Sequence, residues 1–155
     1  MSALSAVLQL VAARRASGQS IVFTNGVYDL LHPGHVRYLQ FARTLGDCLI
    51  VGVNSDRSVR AIKGPSRPVH PDHERVEVLE ALACVDAAVI FDDDTPYELI
   101  KAVQPDVLVK GADWAADAIV GRDVVEARGG RVVRAEIQQG HSTTGLIDRA
   151  QGPRT

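Results

Sequence analysis

Short apolar runs alternate with amphipathic stretches along almost the whole chain. Continuous apolar runs are typical of strands buried on both faces, and the stretches between them repeat apolar residues at the spacing of a helix. The predicted strands are Ile21–Thr24, Cys48–Val53, Ala87–Phe91, Val107–Lys110 and Val132–Arg134. The predicted helices are residues 3–17, Pro33–Leu45, Asp72–Ala83, Pro96–Val103, Asp123–Arg128 and the segment after Thr143. Because helices separate the strands, the pattern predicts an α/β fold of three layers around a five-stranded parallel sheet.

Two segments carry local signals that refine this prediction. Thr95-Pro96-Tyr97-Glu98 has the pattern of a capping box, which predicts a helix start with Thr95 as the cap and Pro96 at the first helical position. Lys63–Pro68 is rich in proline, glycine and positive charge, and we predict a mobile lid there.

Polar residues follow several of the predicted strands. Since open parallel sheets bind ligands beyond the carboxyl ends of their strands, these segments are the candidates for a site. They are residues 24–35, 54–57, 110–114 and 140–144.

Composition narrows the class of protein. The chain has 155 residues, of which 46% are hydrophobic and 23% charged, so it suits one folded domain rather than a disordered segment. A net charge of -2 gives no general attraction to nucleic acid or to an anionic membrane. Cys48 and Cys84 lie in apolar runs without metal or redox spacing, which is typical of free thiols in a reducing cytosol. We therefore expect a cytoplasmic protein with no nucleic-acid or membrane partner.

His32 and His35 flank the turn into the helix predicted from Pro33. Their spacing puts both imidazoles on one face of the first turn, and a helix N-terminus offers unpaired N–H groups to an anion. The pair is therefore a candidate phosphate site, although the residues alone leave a structural role equally open. His70 and His73 repeat the spacing, so a zinc site shared by four imidazoles is the alternative. Solvated positions suit this second pair better.

A row of hydroxyl groups, Ser142-Thr143-Thr144, precedes the last predicted helix. A single serine or threonine there would be explained as a helix cap. Three in succession exceed what a cap requires, and a helix N-terminus with several hydroxyls is suited to terminal phosphate oxygens.

These residues resemble a known family. The stretch Thr24–His35, which reads TNGVYDLLHPGH, is similar to the signature of the HxGH cytidylyltransferase-like superfamily, and Ser142–Thr144 is similar to its second phosphate motif. Further motifs resemble the adenylyltransferase domain that makes ADP-heptose, in its free-standing form without a fused kinase. They are Gly52–Val59, Lys63-Gly64, Arg67-Pro68-Val69, Glu74-Arg75, Asp94-Thr95-Pro96 and Val109–Trp114. The resemblance covers about residues 20–148 and departs at Val27-Tyr28, where cysteine or another small residue followed by phenylalanine is expected.

The resemblance implies a Rossmann-like fold and a nucleotidyltransferase. The enzyme would transfer AMP from ATP to a D-glycero-beta-D-manno-heptose 1-phosphate and release pyrophosphate, with no covalent enzyme intermediate. The implied catalytic residues are His32, His35 and Lys63. The implied nucleotide and phosphate ligands are these three with Thr24, Asn25, Gly26, Ser142, Thr143 and Thr144. For the sugar-phosphate side the candidates are Asp29, Asn54, Arg75, Lys110 and Asp113.

The resemblance also implies Mg²⁺ bound with the nucleotide, a homodimer, and a separate sugar kinase that supplies the substrate. Two alternatives stay open. One is a cytidylyltransferase acting on glycerol 3-phosphate or phosphoethanolamine, because the histidine and hydroxyl motifs are shared across the superfamily. The other is a nucleotide-binding domain without turnover. For Asp29 a turn-forming role competes with the site role, and for Arg75 a solvated helix face competes.

Overall fold

Five parallel strands form the central layer of the protein in a computed structural model that describes residues 1–112, 115, 118–136 and 142–152. Their order across the sheet is β3-β2-β1-β4-β5. The bounds are β1 Ile21–Gly26, β2 Cys48–Asn54, β3 Ala87–Phe91, β4 Val107–Gly111 and β5 Arg131–Ala135. The predicted α/β class and five-stranded parallel sheet are confirmed.

Helices cover both faces of this sheet. Those described are α1 Ala3–Ala16, α2 Pro33–Arg43, α3 Asp56–Lys63, α4 Asp72–Glu80, α5 Tyr97–Val103, α6 Arg122–Ala127 and α7 Thr143–Gln151. Apolar residues of α1, α5 and α6 join one buried cluster, and those of α2 and α4 join another, so the sheet separates two helical layers. Within the described residues, no helix has both the length and the apolar character needed to cross a membrane.

Alternation along the central strands fills these two clusters. Ile21 and Phe23 of β1 point to the layer of α1 and α5, whereas Val22 points to the layer of α2. In β2, Ile50 points to the layer of α1 and α5, and Leu49 points to the layer of α2. Because both sets are buried, the strands appear in the sequence as unbroken apolar runs.

Helix α3 is absent from the sequence prediction. Ser55 caps it by accepting a hydrogen bond from the backbone N–H of Ser58 at 3.2 Å, and Gly64, with φ of 97°, ends it in the left-handed region. Lys63 is therefore the last residue of a helix and not the first residue of a loop.

The predicted capping box before α5 is wrong. The helix begins at Tyr97, and Pro96 occupies the cap position, where its side chain has no acceptor. The Thr95 hydroxyl accepts a long 3.4 Å hydrogen bond from the N–H of Tyr97, two residues on, instead of from the residue three positions ahead that a box requires.

The strand order places a crevice beside β1. From β1 the chain adds β2 and then β3 on one side, and β4 and β5 on the other. The loops that leave β1 and β4 therefore diverge, which opens space at the carboxyl ends of these two strands. The predicted phosphate motifs follow β1 and β5, so both reach this position.

Candidate functional site

A cleft of about 740 Å³ opens at the carboxyl ends of the strands. Its walls come from the β1–α2 loop, α2, the end of α3, the ends of β4 and β5, and the start of α7. The cleft brings together most of the residues predicted from the sequence. These are Asn25, Gly26, His32, His35, Lys63, Lys110, Ser142, Thr143 and Thr144.

The charge of the cleft is opposite to that of the chain. The formal net charge of the protein is -2, yet the described lining residues include five Lys or Arg side chains and a single carboxylate, Glu136. The cations are Arg37, Lys63, Arg67, Lys110 and Arg134. A local positive field of this kind attracts a polyanionic ligand even when the whole protein is slightly acidic.

The histidine pair forms the start of α2. His32 is the helix cap, and its Nδ1 accepts a hydrogen bond from the backbone N–H of His35 at 3.3 Å. This bond places the proton of the neutral His32 ring on Nε2. The two rings stack with centroids 3.8 Å apart and planes 20° apart. Two imidazoles thus stand side by side above the N-terminal N–H groups of the helix, as an anion site requires.

His35 lies against a buried aromatic ring. Tyr28 is 6% exposed, has φ of 50°, and meets the His35 ring edge-on with centroids 5.3 Å apart. Gly26 is needed beneath it, because a Cβ there would come within 2.9 Å of Cε2 of Tyr28. Burial raises the pKa of the Tyr28 hydroxyl well above its usual value, so the ring is a neutral support for the histidine.

The pKa of His35 is lowered to about 4, first because the ring is buried and second because His32 stands beside it. A backbone hydrogen bond with Leu30 raises the pKa and offsets part of this effect. Nδ1 of His35 is buried and has no hydrogen-bond partner among the described residues. The ring is therefore neutral near pH 7 in the free protein, and its Nδ1 is a buried polar atom without a partner in the described part of the chain.

This lowered pKa predicts a pH dependence of stability. Between about pH 4 and 6.5 the unfolded chain binds a proton at His35 that the folded protein does not, so stability falls as the pH falls through this window. The melting temperature of a His35→Gln variant should therefore decrease less than that of the parent from pH 7 to 4.5. Thermal melts at matched ionic strength measure the difference. His73→Gln, at an exposed histidine of α4, is the control whose curve should parallel the parent. Parallel curves for His35→Gln would contradict the assignment.

The N-terminus of α7 forms another wall of the cleft. Ser142 caps the helix by accepting a hydrogen bond from the N–H of Gly145 at 2.9 Å. The Thr143 hydroxyl donates to the carbonyl of Leu30 at 3.0 Å, which ties α7 to the loop that carries the histidines. Thr144 is exposed and lines the cleft. Of the three hydroxyls, Thr143 thus holds the two motifs together, and Ser142 and Thr144 are left to donate to a ligand.

Thr24 does not line the cleft. The residue is completely buried, and its hydroxyl lies 2.9 Å from the carbonyl oxygen of Val109 and 2.8 Å from the hydroxyl of Tyr38. These bonds join β1, β4 and α2 beneath the site. The structure therefore gives the Thr24 side chain a supporting position and not the nucleotide contact expected from the sequence.

Asp29 is also absent from the lining of the cleft. Its side chain is inaccessible and accepts hydrogen bonds from Nε of Arg67 at 2.7 Å and from the N–H groups of Val69 and His70 at 2.8 and 3.0 Å. Burial on its own raises the pKa of Asp29, but these hydrogen bonds outweigh it and leave the pKa lowered. The carboxylate fixes the second half of the predicted lid, so any lid motion is confined to residues 63–66.

Arg75 is buried instead of solvated. Its Nε donates to the carbonyl of His70 at 3.0 Å, Nη1 to the carbonyl of Val27 at 2.6 Å, and Nη2 to Asp56 at 3.0 Å. It therefore joins the lid to the loop after β1 and does not line the cleft. Asn54, buried at the end of β2, donates to the Ser58 hydroxyl at 3.3 Å and does not line the cleft either.

The remaining predictions concern Asp113, Trp114 and a metal site that includes the second histidine pair. Asp113 and Trp114 lie outside the described residues. The described residues contain no group of three His, Cys, Asp or Glu side chains that could hold a metal ion. Nδ1 of His70 lies 3.4 Å from Glu74, and His73 is exposed on α4, so the second histidine pair is turned to solvent.

The cleft also contains cations that the sequence prediction left out. Arg134 stands near the carboxyl end of β5, inside the predicted strand Val132–Arg134, so a rule applied only to the segments after the strands missed it. Arg37 follows His35 on α2, and Arg67 follows the lid glycine. Arg67 belongs to the motif Arg67-Pro68-Val69 that carries part of the resemblance, whereas nothing in the local sequence distinguishes Arg37 from a solvated arginine.

Comparisons with known proteins identify the family of the chain. A family model described as cytidylyltransferase-like matches residues 23–148. The chain is 52% identical over 140 residues to the bifunctional protein HldE of Syntrophotalea carbinolica, and 50% identical over 146 residues to that of Geobacter sulfurreducens. These alignments cover 90% and 94% of this chain but 29% and 30% of the relatives, so the chain spans less than a third of their length.

Solved structures share the fold of this chain. A lipopolysaccharide core biosynthesis protein from Thermoplasma volcanium GSS1 superposes with a TM-score of 0.65 at 27% identity, over 80% of this chain and 100% of that one. A protein of unknown function from Archaeoglobus fulgidus, at 24% identity and a TM-score of 0.58, covers 78% of this chain and 93% of its own, and shares the fold. The resemblance predicted from the motifs is thus confirmed, and the chain belongs to the cytidylyltransferase-like family.

Proposed function

We propose that this protein is a nucleotidyltransferase that transfers AMP from ATP to a heptose 1-phosphate, giving ADP-heptose and pyrophosphate. One observation carries the proposal: the stacked histidines and the N-terminus of α7 face a single cationic cleft and are tied together through Thr143 and Leu30. Two helix N-termini that converge in this way suit a ligand with several phosphates.

The chemistry requires alignment more than an activated side chain. An oxygen of the sugar phosphate is anionic near pH 7 and attacks the α-phosphorus, while the bond to the β-phosphate oxygen breaks and pyrophosphate leaves. His32 and His35 bind the phosphates during transfer, and Ser142 and Thr144 donate to the terminal phosphate oxygens. Lys63 neutralises charge on the reacting phosphates. Asn25 and Gly26 let the backbone approach the nucleotide.

We expect nucleotide binding to raise the pKa of His35 and so to increase its protonated fraction. Its ring is neutral in the free protein, and an adjacent phosphate anion opposes the burial that lowers its pKa. A protonated ring beside the phosphates then holds a full positive charge in a partly enclosed site, where charge is more effective than in water.

The assignment of base and sugar is supported by the relatives. The alignments to HldE proteins, at identities near 50%, cover nine tenths of this chain or more and therefore include the lid, β4 and α5. The similarity to a lipopolysaccharide core biosynthesis protein agrees with a carbohydrate substrate.

Mg²⁺ is expected to enter with the nucleotide. Glu136 is the single carboxylate among the described lining residues, which suits a cation held mainly by phosphate oxygens. We further propose that the protein works as a homodimer in the cytoplasm and that a sugar kinase supplies the heptose 1-phosphate.

A substrate matrix tests the proposal. Four nucleoside triphosphates are paired with heptose 1-phosphates, glycerol 3-phosphate and phosphoethanolamine, and pyrophosphate release is measured. We expect ATP with D-glycero-D-manno-heptose 1-phosphate to give the highest kcat/KM. A preference for CTP with glycerol 3-phosphate or phosphoethanolamine would replace the substrate assignment. Binding of ATP without turnover of any pair would favour a nucleotide-binding domain.

A further inference from the structure

Arg67 lines the cleft and is held from behind by a buried carboxylate. Its side chain is 11% exposed, and its Nε donates to Oδ2 of Asp29 at 2.7 Å. Within the described part of the chain, neither terminal nitrogen of Arg67 has a hydrogen-bond or ion-pair partner. A guanidinium anchored through Nε keeps terminal N–H donors for another ligand, and such donors match the oxygens of a phosphate.

The support behind Arg67 is rigid. The Asp29 side chain is fully inaccessible and also accepts hydrogen bonds from the backbone N–H groups of Val69 and His70. The guanidinium and the peptide segment that carries it are therefore fixed by the same carboxylate. A cation fixed before its ligand arrives loses less side-chain entropy on binding than a solvated arginine does.

Arg67 and the start of α7 come to the cleft from opposite sides of β1. Arg67 follows α3 and therefore belongs to the β2 side of β1, whereas Lys110 and Arg134 lie on the β4 and β5 side. The start of α7, which we propose holds the terminal phosphates, follows β5 on this second side and reaches the histidine pair through the bond of Thr143 to Leu30. In phosphoryl transfer the attacking and leaving oxygens lie roughly in line on opposite sides of the phosphorus, so the acceptor must approach from one side of the bound triphosphate.

We propose that Arg67 binds the phosphate of the acceptor substrate and that Asp29 is its positioning residue. This inference rests on the proposed function, since it assigns one of its two substrates to one end of the cleft. Asp29 then acts on the sugar phosphate through Arg67 and does not touch it.

Steady-state kinetics of Arg67→Gln test the inference, with Arg60→Gln as the control. Arg60 is exposed on α3 and is absent from the cleft lining, so the control removes the same charge elsewhere. We expect the KM for heptose 1-phosphate to rise about tenfold or more in Arg67→Gln, while the KM for ATP changes less than about threefold. Loss of folded protein lowers kcat but leaves both KM values unchanged, so the readout separates binding from stability. Asp29→Asn should shift the same KM in the same direction.

A rise in the KM for ATP equal to that for the acceptor, or an unchanged acceptor KM, would overturn the inference. A second measurement does not depend on turnover. Inorganic phosphate is titrated into the parent and Arg67→Gln in the presence of a nonhydrolysable ATP analogue, and binding is followed by calorimetry. Weaker phosphate binding by Arg67→Gln supports the inference even when heptose 1-phosphate proves not to be the substrate. Equal binding, or none by the parent, overturns it.

Discussion

Replacing His35 by alanine is expected to lower kcat by a factor on the order of 10² to 10³, the loss typical of an electrostatic donor at a transition state. The ring lies at the centre of the cleft, stacked on His32, and its Nδ1 has no partner in the described protein. Stability should change little, because the substitution removes a buried polar atom without a hydrogen bond as well as some packing. Pyrophosphate release and thermal melts measure the two effects.

His73→Ala is the matched control for this variant. His73 is an exposed histidine of α4 that does not line the cleft, so both its kcat and its melting temperature should equal those of the parent. If His35→Ala unfolds at the assay temperature, or keeps a kcat within about threefold of the parent, the histidine is structural and the phosphate site must be reassigned.

Lys63→Ala should also lower kcat by a factor on the order of 10², while the affinity for nucleotide falls much less. The side chain is exposed at the end of α3 and lines the cleft, next to the part of the lid that Asp29 does not fix. It can therefore approach the phosphates when residues 63–66 move, and its charge acts more strongly as negative charge shifts during transfer. Single-turnover and steady-state kinetics separate chemistry from binding.

Lys101→Ala removes an exposed lysine of α5 and serves as the control. Both variants should melt within about 3 °C of the parent, since exposed lysines make few packing contacts. A kcat for Lys63→Ala within about threefold of the parent would exclude Lys63 from catalysis.

The sheet, the histidine pair and the start of α7 could be predicted because their signals are local. Unbroken apolar runs indicate strands that are buried on both faces. His32 and His35 lie one helical turn apart, which predicts that their rings share one face of a helix. Helix α3 could not be predicted in this way. The helix has 8 residues, and only Ser58 and Val59 of them are buried, so it is too short and too polar to be identified by an apolar repeat although the Ser55 cap and Gly64 stop are present.

Asp29 and Arg75 show a second limit. From the sequence, Asp29 is expected to contact a ligand or to form a turn, and Arg75 to contact a ligand or to lie on a solvated helix face. Both are buried, and their partners are distant along the chain: Asp29 bonds to Arg67, and Arg75 bonds to the carbonyl of Val27. Hydrogen bonds of this kind depend on how the lid packs against the loop after β1, and no pattern within either segment encodes that packing.

Gly26 and Tyr28 restrict each other's evolution. A methyl group at position 26 would collide with a ring that cannot retreat, because Tyr28 is buried and packed against His35. An alanine at 26 becomes acceptable only after a smaller side chain replaces the tyrosine, and that first change removes the support of the histidine. Every single-step path to a new residue at position 26 therefore passes through a damaged phosphate site, so descendants of this chain should alter the two positions together or keep both.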